Sequence, residues 1–180
     1  MEDTNLIYAT TDTHFCHDRT FLTNPRGFTD IKSHNEAIIK NWNSIVKPSD
    51  TVYLLGDAVL NNDEEGIECL RQLNGTIYLA IGNHDTDGRI ERYREAGVFA
   101  DIQYAYRLQY KKFKFFLSHY PTLTANPGTP FPIFNISGHT HSQDKFENMD
   151  KLIYNASLDA HNNTPVSLDE IIADIKAYRS

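Results

Sequence analysis

Cysteine is nearly absent from this chain: Cys16 and Cys69 are the only two in 180 residues. Two thiols do not make a disulfide framework, so they are read as reduced cysteines of a cytosolic protein. Long apolar runs are missing as well. No stretch reaches the roughly 18 apolar residues that a membrane span needs. The start, Met1-Glu2-Asp3-Thr4-Asn5, lacks the basic residues and apolar stretch of a signal peptide. Cytoplasmic location is therefore expected. Positive charge is also scarce, with 17 Lys and Arg against 24 Asp and Glu and a formal net charge of -7. Such a surface repels duplex nucleic acid unless basic residues cluster. The densest basic stretch, Lys111-Lys112-Phe113-Lys114, reads as a hairpin tip. Binding of long nucleic acids is not indicated.

What the chain does have is an ordinary globular balance, 40% apolar and 23% charged. Its length suits one domain, residues 1–180, with a sizeable core. Leu6–Ala9, Thr51–Leu55 and Thr76–Ile81 read as short buried strands. Helical patterns lie between them. Ser33 and Glu36 form a capping box ahead of Ile38, Trp42 and Ile45, with Trp42 expected in the core. Asn62 or Asp63 caps a helix carrying Ile67, Leu70 and Leu73, and another helix covers Arg89 to Ala96, ending at Gly97. The character then changes. Ile102–Tyr110 and Phe113–Leu117 suggest a hairpin, Pro121 to Pro132 a loop, and Phe134–Ser137 and Lys151–Tyr154 further strands. Ser167 and Glu170 cap a last helix bearing Ile171, Ile172 and Ile175. Strands alternating with helices, followed mainly by strands, indicate one α/β domain with layered sheets.

Polar clusters stand where these strands end. Asp12 and His14 form Asp-x-His. Gly56-Asp57, Gly82-Asn83-His84-Asp85, Ser118-His119-Tyr120 and Gly138-His139-Thr140-His141 each follow an apolar run. Strand ends at one sheet edge are where open α/β architectures place their sites. Carboxylate oxygens and imidazole nitrogens suit zinc, manganese, iron, cobalt or nickel better than calcium. On an extended segment, Asp12 and His14 would point the same way and share one ion. His139 and His141 repeat that spacing, Asp57 can bridge two ions, and Asn83 offers an amide oxygen. One such residue alone is usually turn chemistry, but the joint pattern reads as a metal site. Cys16 lies beside the first cluster without a partner spaced for it. His34 and His161 read as surface residues.

These blocks resemble the signature of the calcineurin-like metallophosphoesterase superfamily. The match runs from Asp12 to His141 and on through Asn155: Asp-x-His, Gly-Asp, Gly-Asn-His-Asp, a later His, and Gly-His-x-His. The resemblance implies a four-layer αββα sandwich and two divalent transition-metal ions. One ion would take Asp12, His14, Asp57 and His141, and the other Asp57, Asn83, His119 and His139. A hydroxide bridging two ions about 3.5–4 Å apart would attack phosphorus. His84 would protonate the leaving group, and Asp85 would orient or charge it. Asn155 would support the centre from behind. In the loop after Asp-x-His, His17 and Arg26 are candidate substrate contacts, Arg through its bidentate fork. Protein phosphatases of the superfamily carry a Val-Asp-Arg-Gly type stretch after Gly-Asp. Here Ala58-Val59-Leu60-Asn61 stands there, which argues against that activity. The chain looks most like the small phosphoesterases of bacteria and phages. The expected substrate is a small phosphomonoester or phosphodiester, with nucleotides among the options. The alternatives are a nuclease on longer nucleic acids and a metal-stabilised protein-binding scaffold.

Overall fold

Runs of β-branched and aromatic residues build two sheets, and amphipathic helices cover them. In the computed structural model, residues 5–124, 130 and 132–179 are described. Residues 1–4 of the acidic start, and residues 125–129 and 131 of the loop from Pro121 to Pro132, lie outside these. In chain order the elements are β1 (Ile7–Thr10), α1 (Thr20–Thr23), α2 (Ile31–Ile45), β2 (Thr51–Leu54), α3 (Asp63–Arg71), β3 (Thr76–Ala80), α4 (Asp87–Ala96), β4 (Asp101–Gln103), β5 (Ala105–Tyr110), β6 (Phe113–Ser118), β7 (Ile133–Ser137), β8 (Phe146–Asn148), β9 (Ile153–Asn155), β10 (Val166–Ser167) and α5 (Leu168–Tyr178). Single tighter turns cover Met149–Lys151 and Leu158–Ala160.

The first sheet has the order β10-β1-β2-β3-β4, parallel from β1 to β4 with β10 antiparallel at one edge. The second has the order β5-β6-β7-β9-β8, parallel at its centre and antiparallel at both edges. The central strands are apolar on both faces because both faces are covered. Val52, Leu54, Ile77 and Leu79 pack with Ile38, Trp42, Leu70 and Tyr93 in one core, under α2, α3 and α4. Ala9, Leu55 and Ala80 join Phe115, Leu117, Phe134 and Ile136 in a second. α5 adds Ile171, Ile172 and Ile175 to that core. Its polar side meets the second sheet too, where the Tyr154 hydroxyl donates to Asp174 at 2.7 Å. The layers run helices, sheet, sheet, helix, as expected. Among the described residues no helix is long and apolar enough to cross a membrane.

Several local expectations shift. α2 starts at Ile31, not after Ser33, because the Asp30 carboxylate accepts the Ser33 N–H at 2.8 Å. Trp42 is fully buried, and its indole N–H donates to the Asn74 carbonyl at 2.9 Å. His34 is not on the surface. It shares the buried face of α2 with Ile38 and Trp42 and has no exposure. His161 is buried as well, its Nε2 donating to the Asn155 carbonyl at 2.9 Å. The expected strand 102–110 is two strands in different sheets. β4 pairs with β3, the chain crosses at the exposed Tyr104, and β5 pairs with β6. Asn62 caps α3, and Ser167 with Glu170 forms the expected capping box on α5.

Gly66 offers a test of the α3 packing. A Cβ there would lie 2.1 Å from Val59 Cγ1, and Val59 is stiff and fully buried. On a free helix Gly→Ala stabilises by about 1 kcal/mol. Here overpacking should reverse the sign, with Gly66→Ala losing about 1–3 kcal/mol in urea unfolding. A gain in stability would mean that the α3 contact with Val59 is not as tight as described.

Candidate metal centre

Parallel strands deliver their following loops to one edge of a sheet, and here two sheets do so toward the same place. The loops after β1, β2 and β3 carry Asp12 and His14, Asp57, and Asn83 to Asp85. The second sheet contributes His119 just after β6, and His139 and His141 after β7. Backbone bonds lock these loops together. The Asp12 N–H donates to the Gly56 carbonyl at 3.1 Å, and that of His14 to the Asp57 carbonyl at 3.0 Å. The His139 N–H crosses between the sheets to Asp12 Oδ2 at 2.9 Å. Such approach leaves no room for side chains at Gly56, Gly82 and Gly138. A Cβ on Gly56 would sit 2.6 Å from His119 Nδ1, and one on Gly138 2.4 Å from Asp12 Oδ2.

The extended Asp-x-His geometry expected from the sequence does not form. Asp12, His14, Asp57, His139 and His141 all have left-handed backbone, with φ from 48° to 71°. Such non-glycine residues cost of order 1–3 kcal/mol each and persist where surroundings over-determine them. The side chains converge because the chain curls back after each strand. Two groups of three place donor atoms within 4.8 Å of one another: Asp12, His14 and His141, and Asp12, Asp57 and His119. Asn83 Oδ1 lies 2.9 Å and His139 Nδ1 3.1 Å from His119 Nε2.

Electrostatics here are unusual for a dry interior. Burial pushes Asp12's carboxyl up, but bonding to His14 and the nearby His141 and His119 hold it well below the usual carboxylate range. Burial drives His14 down to about 4 against the pull of Asp12. Burial raises Asp57 to about 6; His119 opposes this, while the Asp12 and Asp85 carboxylates add to it. Asp12 Oδ1 and His14 Nδ1 are buried with no hydrogen-bond partner among the described residues. His14 Nε2 faces His141 Nε2 at 3.2 Å. A neutral imidazole has one N–H, so facing ring nitrogens and an orphaned carboxylate oxygen fit a shared cation. The donors are hard oxygens and borderline nitrogens, which fit a divalent transition ion.

Other expected site residues fall differently. His84 stands at the rim, its side chain 43% exposed and Nε2 3.9 Å from Asp57 Oδ2. Its backbone N–H donates to Asp57 Oδ1 at 2.8 Å. Asp85 does not orient the His84 ring. Its oxygens accept the N–H groups of Asp57 and Gly82, both at 2.9 Å, and of Ala58 at 3.2 Å. It ties the β2 and β3 loops together, because buried N–H groups need an acceptor. His17 lies against His14, with ring centroids 5.1 Å apart and 6.2 Å from His84, and its Nδ1 has no partner among the described residues. Arg26 is not free to meet a substrate. It is buried, and it makes two hydrogen bonds to Asp159 at 2.9 and 2.8 Å and one to the Asp12 carbonyl at 2.8 Å. Asp159 was not singled out in the sequence; it accepts from His141 Nδ1 at 3.0 Å. The only signal was a carboxylate soon after Asn155. Asn155 itself pins the loop after His141 by donating to the Ser142 and Asp144 carbonyls, both at 2.9 Å. Cys16 and Cys69 are free and buried in the first core. A surface groove of about 840 Å³ borders α3 and α4, but it shares no residue with these donors.

The chain is 35% identical over 174 residues to the uncharacterized protein MJ1445 of Methanocaldococcus jannaschii, covering 92% of this chain and 89% of that one. It is 33% identical over 82 residues to the Gene 66 protein of Mycobacterium phage L5, covering 43% of this chain and 39% of that one. The crystal structure of AQ665 from Aquifex aeolicus, a protein of unknown function, superposes with a TM-score of 0.72 at 28% identity, covering 94% of this chain and 98% of that one. Residues 6–178 match the Metallophos model, the calcineurin-like phosphoesterase family. With nearly its whole length matched, the chain belongs to the calcineurin-like phosphoesterases, hydrolases of phosphate esters.

Proposed function

We propose that this phosphoesterase works with two divalent transition ions held by seven side chains, within a single domain spanning residues 1–180. One ion takes Asp12, His14, Asp57 and His141, and the other Asp57, Asn83, His119 and His139. The observation that carries this reading is two donor groups that meet at Asp12, with Asp57 in the second of them and its carboxylate facing a histidine of each. Asp57 Oδ2 lies 3.8 Å from His14 Nε2 and 3.6 Å from His119 Nε2, which supports a bridging role. Asp12 belongs to both groups, but its Oδ2 is engaged by the His139 N–H, leaving Oδ1 as the donor. Bound there, two divalent ions would clamp phosphate oxygens and make a water nucleophilic at neutral pH. Manganese, iron, zinc, nickel and cobalt all suit the set.

The chain's own groups supply the rest. His84 is tethered to Asp57 through its backbone while its ring reaches solvent. That supports proton donation to the departing oxygen. Asp85 fixes the loops that carry Asp57 and His84. His17, with an unpartnered nitrogen beside His14, is proposed to contact the substrate. The substrate is a small phosphomonoester or phosphodiester. Phe21 and Tyr120 are exposed next to His17 and His139, and flat exposed rings accept a nucleobase by stacking. This favours nucleotides. The net charge of -7 disfavours long nucleic acids. A protein-binding scaffold would have no need of a complete donor set or of an exposed His84.

Elemental analysis of metal-loaded protein should find about two ions per chain. Asp57→Asn should weaken both, and saturation at one ion would reject the bridging assignment. The mouth of the site is open, so bis(p-nitrophenyl) phosphate should be cleaved at least as fast as p-nitrophenyl phosphate. A strong monoester preference would move the reading to a phosphatase, and no turnover with any metal would favour the scaffold. His84 is tested by leaving groups. A nitrophenolate departs unprotonated, whereas an alkoxide needs a proton, and general acid catalysis contributes about 10²–10⁴-fold where needed. His84→Ala should therefore slow alkyl esters by about that factor and nitrophenyl esters far less, with metal content intact. Equal losses on both would assign His84 to phosphate charge instead.

A further inference from the structure

His141 is the least enclosed imidazole of its donor group, 32% exposed where His14 is 2%. Packing alone does not hold such a ring. Its Nδ1 is 3.0 Å from Asp159 Oδ2. Asp159 sits in the single turn Leu158–Ala160, and neither of its oxygens is free to turn away. Arg26 Nε donates to Oδ1 at 2.9 Å and Arg26 Nη2 to Oδ2 at 2.8 Å. The same Nη2 donates to the Asp12 carbonyl at 2.8 Å, and Nη1 meets His34 Nε2 at 3.2 Å. Both side chains of the pair are nine-tenths or more buried. One guanidinium thus links the carboxylate behind His141 to the backbone of Asp12. Across the site, His141 Nε2 lies 3.7 Å from Asp12 Oδ1.

A carboxylate that accepts from one ring nitrogen puts the proton there and leaves the other nitrogen's lone pair for a metal. We propose that Asp159, clamped by Arg26, is a positioning residue that fixes the Nδ1–H tautomer of His141 and aims its Nε2 at the ion shared with Asp12 and His14. This rests on the two-ion reading above. It accounts for why Arg26 is buried while its neighbours Asn24, Pro25 and Gly27 are exposed. It also separates the two ions, because among the described residues the second group has no such carboxylate. His119 Nδ1 instead donates to the Leu55 carbonyl at 2.8 Å.

Zinc titration of the metal-free protein by calorimetry tests this. Wild type should bind two ions. Asp159→Ala should weaken one of them by about 10–100-fold and leave the other unchanged. Asp159→Asn, which keeps an acceptor for Nδ1–H, should lose less. Equal weakening of both ions, or of neither, would overturn the assignment while leaving the two-ion reading standing. A wild type that binds fewer than two ions would remove that reading, and this inference with it. If the variants do not fold, the imidazole ¹⁵N shifts of zinc-loaded wild type decide. His141 should carry its proton on Nδ1 and the metal on Nε2, and the reverse arrangement would refute the role of Asp159.

Discussion

Two buried carboxylates, Asp12 and Asp57, stand together among imidazoles, and the rest of the centre is arranged around them. Asp12 stays ionised because His14, His141 and His119 surround it. Asp57 is pushed up to about 6 by burial, against His119 and with Asp12 and Asp85 adding to the rise. Like-charged groups in a dry site are costly unless something positive lies between them. Among the described residues no lysine or arginine is left to do this, since Arg26 is engaged by Asp159 and the Asp12 carbonyl. A divalent cation answers the constraint. It would also release protons on binding, which ties metal affinity to pH.

Holding that arrangement requires backbone that most residues avoid. Asp12, His14, Asp57, His139 and His141 sit in left-handed conformations, and glycines stand where one loop's backbone meets another's side chain. What over-determines these turns is hydrogen bonding between loops. Asp85 accepts three backbone N–H groups from the β2 and β3 loops. Asp12 Oδ2 takes one from the opposite sheet. Asp85 and the Oδ2 atom of Asp12 thus hold the loops that carry the donors.

Much of this was legible in the sequence because parallel strands leave a plain trace: an apolar run, then glycine, then a polar cluster. That pattern locates Asp12, Asp57, Asn83, His119 and His139 at strand ends. It could not report the partners of a side chain. Arg26 looked like a phosphate ligand because its acid, Asp159, is 133 residues away. Asp85 looked like a partner for the adjacent His84, but nearby loop N–H groups claimed it. The burial of His34 was readable, since His34, Ile38 and Trp42 recur at i, i+4 and i+8. A lone histidine at a helix start nonetheless looks solvent-facing. The switch of sheets at Tyr104 left no mark, because an exposed aromatic within an apolar run resembles a strand residue.

The central claim is that these side chains enclose two cations about Asp57. Anomalous diffraction from crystals grown with manganese addresses it directly. Two peaks are expected, one bounded by Asp12, His14 and His141 and the other by Asn83, His119 and His139, with the Asp57 carboxylate between them. A single peak, or peaks away from Asp57, would contradict it.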